Sequence, residues 1–327
     1  MAPEMTVVLM VDQRRARAER ALRSVVAQSA ISRLAVLLFD FGHSAHEPLP
    51  GSDHSSVRVI PSEYPSTIGA VRLQAFQLAE TPLVAFLEEH TMAWPGWAEA
   101  LLARFSEPEW EGVGAEVHSL NPGLPGDALF VMNYVGFAAP AVSGPRTILQ
   151  GNNSAYRREV VLNLTNGDLD ELRDLLEIES LLNTRMGARG HRLFVEAEAR
   201  FAHANEHVLL TFWEGNLIFS RLFGALRSEA QGWSAGERWS RILAAPALPF
   251  LRVTRLLVHL ARHQPQQLRW VLRELPAVFS AQAASVIGQT MGLLVGPGES
   301  ARKFLFYELN APRDEFEPRA QTEHTHA

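Results

Sequence analysis

Residues 83–90 read Leu-Val-Ala-Phe-Leu-Glu-Glu-His, an apolar run that ends in charged side chains. A short continuous apolar run of this kind predicts a buried strand. Because side chains alternate along a strand, Glu88 and His90 should point to the same side of the sheet. A carboxylate and an imidazole at this spacing can hold one divalent ion. An exposed acidic turn explains the same residues without a function, and the local sequence leaves both interpretations open.

Similar apolar runs lie at residues 6–11, 34–39 and 57–60, and helical periodicity occurs between them, for example at residues 14–28 and 67–79. Strands that alternate with helices predict βαβ units and an α/β fold with a mainly parallel sheet. Open sheets of this class bind ligands outside the carboxyl ends of their strands. We therefore expect the charged end of the 83–90 run to lie where a ligand binds.

The composition excludes several classes of protein. The chain has 327 residues, of which 47% are hydrophobic and 20% charged, as in soluble globular proteins. It contains no cysteine, which excludes disulfides, thiolate metal sites and cysteine nucleophiles. The net charge of −6 argues against a nucleic-acid partner. The first residues lack a basic segment followed by a long apolar one, so we expect no signal peptide and a cytoplasmic protein.

Further candidate residues lie downstream. Residues 171–189 have the pattern of one long helix that carries Glu177 and Glu179. Side chains two apart on a helix do not share a face, so only one of these carboxylates could face a cleft and act as a general base. Two short strands are predicted at residues 193–195 and 199–202, and His203 follows them. A solvated helix face and a structural histidine are the alternatives.

The C-terminal third differs in charge from the rest of the chain. Residues 211–300 carry nine arginines and five glutamates. Arg252, Arg255 and Arg262 share one face of a predicted amphipathic helix, a pattern typical of helices that lie on anionic membrane surfaces. An ordinary helical subdomain with solvated arginines is the alternative.

Residues 276–296 carry no charge and are long enough to span a bilayer, although their glutamines and glycines favour an in-plane or protein-packed helix. We divide the chain into an α/β domain at residues 1–208, a basic helical module at 209–300 and a tail at 301–327.

Six segments of residues 5–207, taken in order, resemble motifs of the family-2-type glycosyltransferases, which use nucleotide sugars and have the GT-A fold. The matching segments are Ala-Leu-Arg-Ser-Val-Val-Ala-Gln at 21–28, Asp40 after the second strand, Gly69 with Arg72, Glu88-Glu89-His90 in place of the family's Asp-x-Asp, Gly-Asn-Asn-Ser-Ala-Tyr-Arg-Arg at 151–158, and a helix aligned by Leu182, Arg185 and Gly190. The resemblance therefore implies a GT-A-like sheet sandwiched by helices.

The resemblance also implies roles for the matched residues. It places Glu179 at the catalytic base, with Glu177 as the second choice. The implied metal ligands are Glu88, His90 and His203. The implied nucleotide-sugar contacts are Asp40, Gly69, Arg72, Glu88, Asn152 and Asn153.

The function that follows from the resemblance is inverting transfer of a sugar from a nucleoside diphosphate sugar to an acceptor hydroxyl. Mn²⁺ is the expected cofactor, and Mg²⁺ is the alternative. A saccharide or lipid-linked acceptor, as in polysaccharide biosynthesis, would suit a protein that lies on the inner face of the cell membrane. A non-catalytic GT-A-like subunit that binds sugar nucleotides is the competing hypothesis, which the altered metal motif favours. The sequence leaves open whether the protein is an oligomer.

Overall fold

The apolar runs form one sheet in the computed structural model, which describes residues 2–41, 47–63, 67–123, 125–151, 153–206 and 208–313. Within these ranges the strands are β1 (Met5–Val11), β2 (Leu34–Asp40), β3 (Val57–Pro61), β4 (Leu83–Glu88), β5 (Thr91–Ala93), β6 (Gly112–Ser119), β7 (Gly144–Arg146), β8 (Ser154–Arg157) and β9 (Leu193–His203). The helices of the first two thirds are α1 (Arg15–Val26), α2 (Ile68–Leu78), α3 (Trp97–Phe105), α4 (Gly126–Asn133), α5 (Arg158–Leu162), α6 (Leu169–Glu177) and α7 (Glu179–Ala188). Those of the last third are α8 (Leu209–Ala230), α9 (Ala235–Ala244), α10 (Leu248–His263), α11 (Pro265–Arg273), α12 (Leu275–Val295) and α13 (Ser300–Asn310).

The sheet has the strand order β3-β2-β1-β4-β8-β6-β9-β5, with β7 added on β9. Neighbours β3, β2, β1 and β4 are parallel, as are β6 and β9. Strand β8 runs antiparallel between β4 and β6, and β5 and β7 run antiparallel to β9. The prediction of an α/β fold with a mainly parallel sheet is confirmed.

Both faces of the sheet are buried, which is why its strands read as continuous apolar runs. In β1, Val7 and Leu9 belong to the core formed with α1 and α3. The alternate residues Val8 and Met10 belong to the core formed with α2, α6 and α7. The sheet is therefore the middle layer between two sets of helices.

The predicted single helix over residues 171–189 was wrong. Ile178 has an extended backbone, with φ −132° and ψ 104°, and separates α6 from α7. Its side chain is buried in the core, and the preceding carboxylate of Glu177 accepts a hydrogen bond from the Gly69 amide at the start of α2. These tertiary contacts outweigh the local helical pattern.

The two short strands predicted near residue 200 are one strand, β9. In its pairing with β6, Ala115 lies opposite Glu196, but the next residue, Glu116, lies opposite Arg200. The register therefore shifts between Ala115 and Glu116. A bulge of this kind bends a strand without ending it. The polar residues of the bulge interrupt the apolar pattern, so the sequence suggested two elements.

The helices of the C-terminal third pack on one another and on the sheet layers. Helix α12 lies along α8 so closely that a Cβ on Gly288 or Gly292 would overlap the carbonyl oxygen of Leu217 or Arg221. Apolar residues of α10 and α12 join the core on the α1 side, and residues of α8 and α13 join the core on the α2 side.

Two stretches, Ala235–His263 and Leu275–Val295, are long and apolar enough to cross a membrane by length and composition alone. Within the protein, 22% and 33% of their most apolar windows are buried.

Candidate active site

Strands β4 and β9 bring the three predicted metal ligands together. Glu88 ends β4, and His90 follows it by two residues. The next residue, Thr91, pairs with His203 at the end of β9, so the two histidines become neighbours although they are far apart in sequence. The convergence results from the register between β5 and β9.

The donor atoms of these three side chains face one another. His90 Nε2 lies 3.0 Å from Glu88 Oε2 and 3.0 Å from His203 Nε2, and His203 Nε2 lies 3.6 Å from Glu88 Oε2. Metal–ligand bonds of about 2.0–2.2 Å place neighbouring donors roughly 3.0–3.5 Å apart. The three residues form a cluster that could hold a metal ion. Buried Glu88 Oε2 has no well-aligned hydrogen bond, so the set fits a divalent ion.

The charges of this cluster are coupled. Burial and the nearby Arg313 lower the pKa of His90, but Glu89 and Glu88 outweigh them and raise it to about 8. Burial raises the pKa of Glu88, but the charge of His90 prevails and holds it well below its usual range. Burial lowers the pKa of His203. One proton on His90 therefore compensates the neighbouring carboxylates when no metal ion is bound.

A second group of site residues consists of Glu179 and Arg72. Glu179 is the first residue of α7 and forms an ion pair with Arg72 of α2. Arg72 also donates to the carbonyl oxygens of Leu176, at 2.9 Å, and Gly151, at 3.3 Å. Burial raises the pKa of Glu179, and Arg72 opposes the shift. Glu179 is thus a partly buried carboxylate whose basicity is increased by its surroundings.

Glu177 is held differently. Its Oε2 atom accepts a 2.6 Å hydrogen bond from the Gly69 amide, and it is 4% exposed. A Cβ on Gly69 would overlap the backbone of Arg173 and Glu177, so the glycine lets α2 approach α6. Burial raises the pKa of Glu177. The premise that the two glutamates lie on one helix is wrong, but the structure still directs them to different partners.

A cavity of 390 Å³ is lined by Glu88 of the metal cluster, here called the metal side, and by Glu179 and Arg72, here called the base side. Its acidic lining consists of Glu88, Glu179, Glu206 and Glu308. Its aromatic lining consists of Tyr134, Phe137, Phe212, Phe219, Phe304 and Tyr307. Because α8 and α13 supply most of the aromatic residues, the C-terminal third forms one wall of the cavity.

Arg313 is a site residue that the sequence analysis missed. Its guanidinium lies 2.8 Å from Glu206 and 3.1 Å from Glu308, and it is 3.2 Å from His90 Nδ1. Burial raises the pKa of Glu308 to about 7, against the influence of Arg313. No local motif marks Arg313, because its partners come from the whole length of the chain.

The other predicted contacts lie away from the cavity lining. Asp40 ends β2, and both of its carboxylate oxygens accept hydrogen bonds from Arg15. Asn153 is buried and accepts a hydrogen bond from the indole of Trp97. Gly69 packs against the backbone of α6, and its amide donates to Glu177. Asn152 lies outside the described residues, as does the tail from residue 314 onward.

No protein-family model and no curated protein matches the chain. Among solved structures, it is similar to the mannosyltransferase PcManGT from Pyrobaculum calidifontis in complex with GDP-Man and Mn²⁺. The identity is 15%, the TM-score is 0.56, and the match covers 90% of this chain and 88% of that one. It also matches GalNAc-T7 with UDP, GalNAc and Mn²⁺ at 14% identity and a TM-score of 0.46, covering 61% of this chain but only 43% of that protein. The chain has the GT-A fold.

Proposed function

We propose that this protein transfers a sugar from a nucleoside diphosphate sugar to an acceptor hydroxyl, with inversion, as a family-2-type glycosyltransferase. The observation that carries the proposal is that Glu88, whose carboxylate faces the two histidines, and Glu179 line the same cavity. The fold supports it, because the mannosyltransferase of the same fold is in complex with GDP-Man and Mn²⁺.

In this reaction Glu179 takes the proton of the acceptor hydroxyl, and the oxygen of that hydroxyl forms a bond to the anomeric carbon. The bond from that carbon to the diphosphate breaks, and the diphosphate leaves with the electron pair. Attack opposite to the leaving group inverts the anomeric configuration. Arg72 holds Glu179 in place.

Glu88, His90 and His203 would hold the divalent cofactor. A bound ion would supply positive charge against the departing diphosphate. Two imidazoles and one carboxylate suit Mn²⁺ better than Mg²⁺, which prefers oxygen ligands. The ion would also compensate Glu88, which lines the cavity where an anionic diphosphate would bind.

A thermal-shift screen tests the binding step. UDP and GDP are each added with Mn²⁺, with Mg²⁺ or without metal, to the wild type and to His90→Ala. A ligand that binds only the folded protein raises its melting temperature. We expect one diphosphate to stabilise the wild type with Mn²⁺ and no such gain in His90→Ala. Equal stabilisation with and without metal would remove the metal from the proposal.

A second candidate is a subunit that binds sugar nucleotides without transferring the sugar. The ion pair between Glu179 and Arg72 favours it, because Arg72 engages the carboxylate that must accept a proton. Release of the stabilising diphosphate from its sugar nucleotides, measured with an acceptor mixture, separates the two functions. Binding without release would favour the non-catalytic subunit.

We also propose that the C-terminal third lies on the inner, anionic face of the cell membrane, where a lipid-linked or polysaccharide acceptor is available. No residue of α9 is buried, and its Trp239 and Leu243 are 57% and 78% exposed. Arg255 and Arg262 of α10 are exposed as well. Exposed aromatic and apolar residues beside arginines suit an anionic interface.

Co-sedimentation with anionic vesicles tests the membrane proposal at low and high salt. Replacing Arg255 and Arg262 with Gln should weaken binding by about 1 kcal/mol for each arginine. Arg252→Gln is the matched control, because Arg252 is partly buried and donates to Gln289 and Ser285 of α12. No binding by the wild type at low salt would overturn the proposal.

A further inference from the structure

Glu89 differs from its neighbours in where its carboxylate lies. It stands between Glu88 and His90 at the end of β4, where a solvated acidic turn would leave it exposed. Instead its side chain is 2% exposed and lies 2.5 Å from the guanidinium of Arg17, which is equally buried. The second carboxylate oxygen lies 2.9 Å from His90 Nδ1.

The two histidines of the cluster are held in the same manner. His203 Nδ1 lies 2.9 Å from the amide oxygen of Asn205, as His90 Nδ1 lies 2.9 Å from Glu89. An oxygen acceptor at Nδ1 favours the neutral tautomer that carries its proton there, which leaves the Nε2 lone pair free. Both Nε2 atoms face Glu88, where a metal ion would bind.

Arg313 also lies near His90 Nδ1, at 3.2 Å, but a guanidinium has only donors and cannot accept the Nδ1 proton. Glu89 can accept it. Arg17 fixes Glu89 and also donates to the carbonyl oxygens of Leu309, at 2.7 Å, and Ala311, at 2.9 Å. Since a buried ion pair contributes little net stability compared with apolar side chains, stability alone does not account for this arrangement.

We propose that Glu89, oriented by Arg17, is a positioning residue that selects the Nδ1-protonated tautomer of His90 and thereby sets the affinity of the site for a divalent cation. This rests on the metal site of the proposed function. In this arrangement Arg17 of α1 holds Glu89, Glu89 holds His90, and His90 would bind the metal ion.

The test is a calorimetric titration with Mn²⁺ alone, without nucleotide or sugar, at pH 8. Removing such a partner typically lowers metal affinity 10- to 100-fold, and we expect this loss in Glu89→Gln. Glu89→Asp should recover part of the affinity. Glu196→Gln is the matched control, because Glu196 is also buried and paired with an arginine, Arg104, away from the cluster. It should bind Mn²⁺ like the wild type.

A second measurement does not depend on whether the variants fold. The ¹⁵N shifts of the His90 ring in the metal-free wild type, above pH 8, report its tautomer. Protonated Nδ1 supports the proposal, and protonated Nε2 overturns it. Equal Mn²⁺ affinity of Glu89→Gln and the wild type overturns the positioning role alone. Absence of Mn²⁺ binding by the wild type overturns the metal site together with this proposal.

Discussion

The two sides of the cavity neutralise their carboxylates in different ways. On the base side, Glu179 is paired with Arg72, so its charge is compensated by a fixed group. On the metal side, Glu88 faces two imidazoles, and its charge is balanced by a proton on His90. A proton can be exchanged for a metal ion, whereas an arginine cannot. The comparison indicates that only the metal side changes its charge when the site is loaded.

The largest expected effect concerns the base side. Glu179→Gln keeps the shape of the side chain and removes the proton acceptor. Loss of a general base typically lowers the rate 10²- to 10⁴-fold, or about 3–5 kcal/mol. Donor affinity should change little, because the carboxylate acts on the acceptor. Steady-state kinetics with a sugar nucleotide of the diphosphate found in the thermal-shift screen would measure both quantities.

Glu177→Gln is the internal control for this prediction. Glu177 does not line the cavity and holds the start of α2, so its loss should lower stability by about 1–3 kcal/mol and leave turnover within a few-fold. Urea unfolding and the same kinetic assay measure the two effects. If Glu177→Gln abolishes turnover and Glu179→Gln does not, the assignment of the base is wrong by two residues.

The next largest effect concerns Arg313, which lies beside His90 on the metal side. Arg313→Ala leaves Glu206 and Glu308 without their guanidinium, and breaking a buried ion pair costs about 3–5 kcal/mol. Arg302→Ala on α13 is the control, because Arg302 is 68% exposed and its pair with Glu299 should contribute less than about 1 kcal/mol. Equal free energies of unfolding for the two variants would show that Arg313 is not needed for charge compensation.

The sequence predicted the sheet and the metal cluster better than the rest of the site. The cluster was predictable because Glu88 and His90 follow a buried strand and strand alternation fixes their direction. The break at Ile178 was not, because it depends on tertiary contacts of α6 with α2. Arg313, Glu89 and Glu308 were missed for the same reason: their roles come from partners that only the folded chain brings together.

The smallest expected effect is the pH dependence of stability in the metal-free protein. His90 has a pKa of about 8 when folded and about 6.5 when unfolded, so it binds its proton more tightly in the folded state. Its contribution is fully present below pH 6.5 and is lost as pH rises through 8. The difference corresponds to about 2 kcal/mol. Glu308, with a pKa of about 7, also lowers the free energy of unfolding as the pH rises from about 4.5 to 7. The decrease between about pH 7 and 8 therefore comes mainly from His90.

Saturating Mn²⁺ should remove the decline that comes from His90, and that change is what distinguishes the metal side from the base side. A metal ligand must be deprotonated, so metal binding strengthens as His90 loses its proton, and this gain should offset the decline of the metal-free protein between about pH 7 and 8. Urea unfolding at several pH values would show a declining curve without Mn²⁺ and a flatter curve with it. His90→Ala should lose the decline between pH 7 and 8 and the response to Mn²⁺ together. Parallel curves for the wild type would mean that the proton on His90 and the metal ion do not compete, and that the charge of the metal side is as fixed as that of the base side.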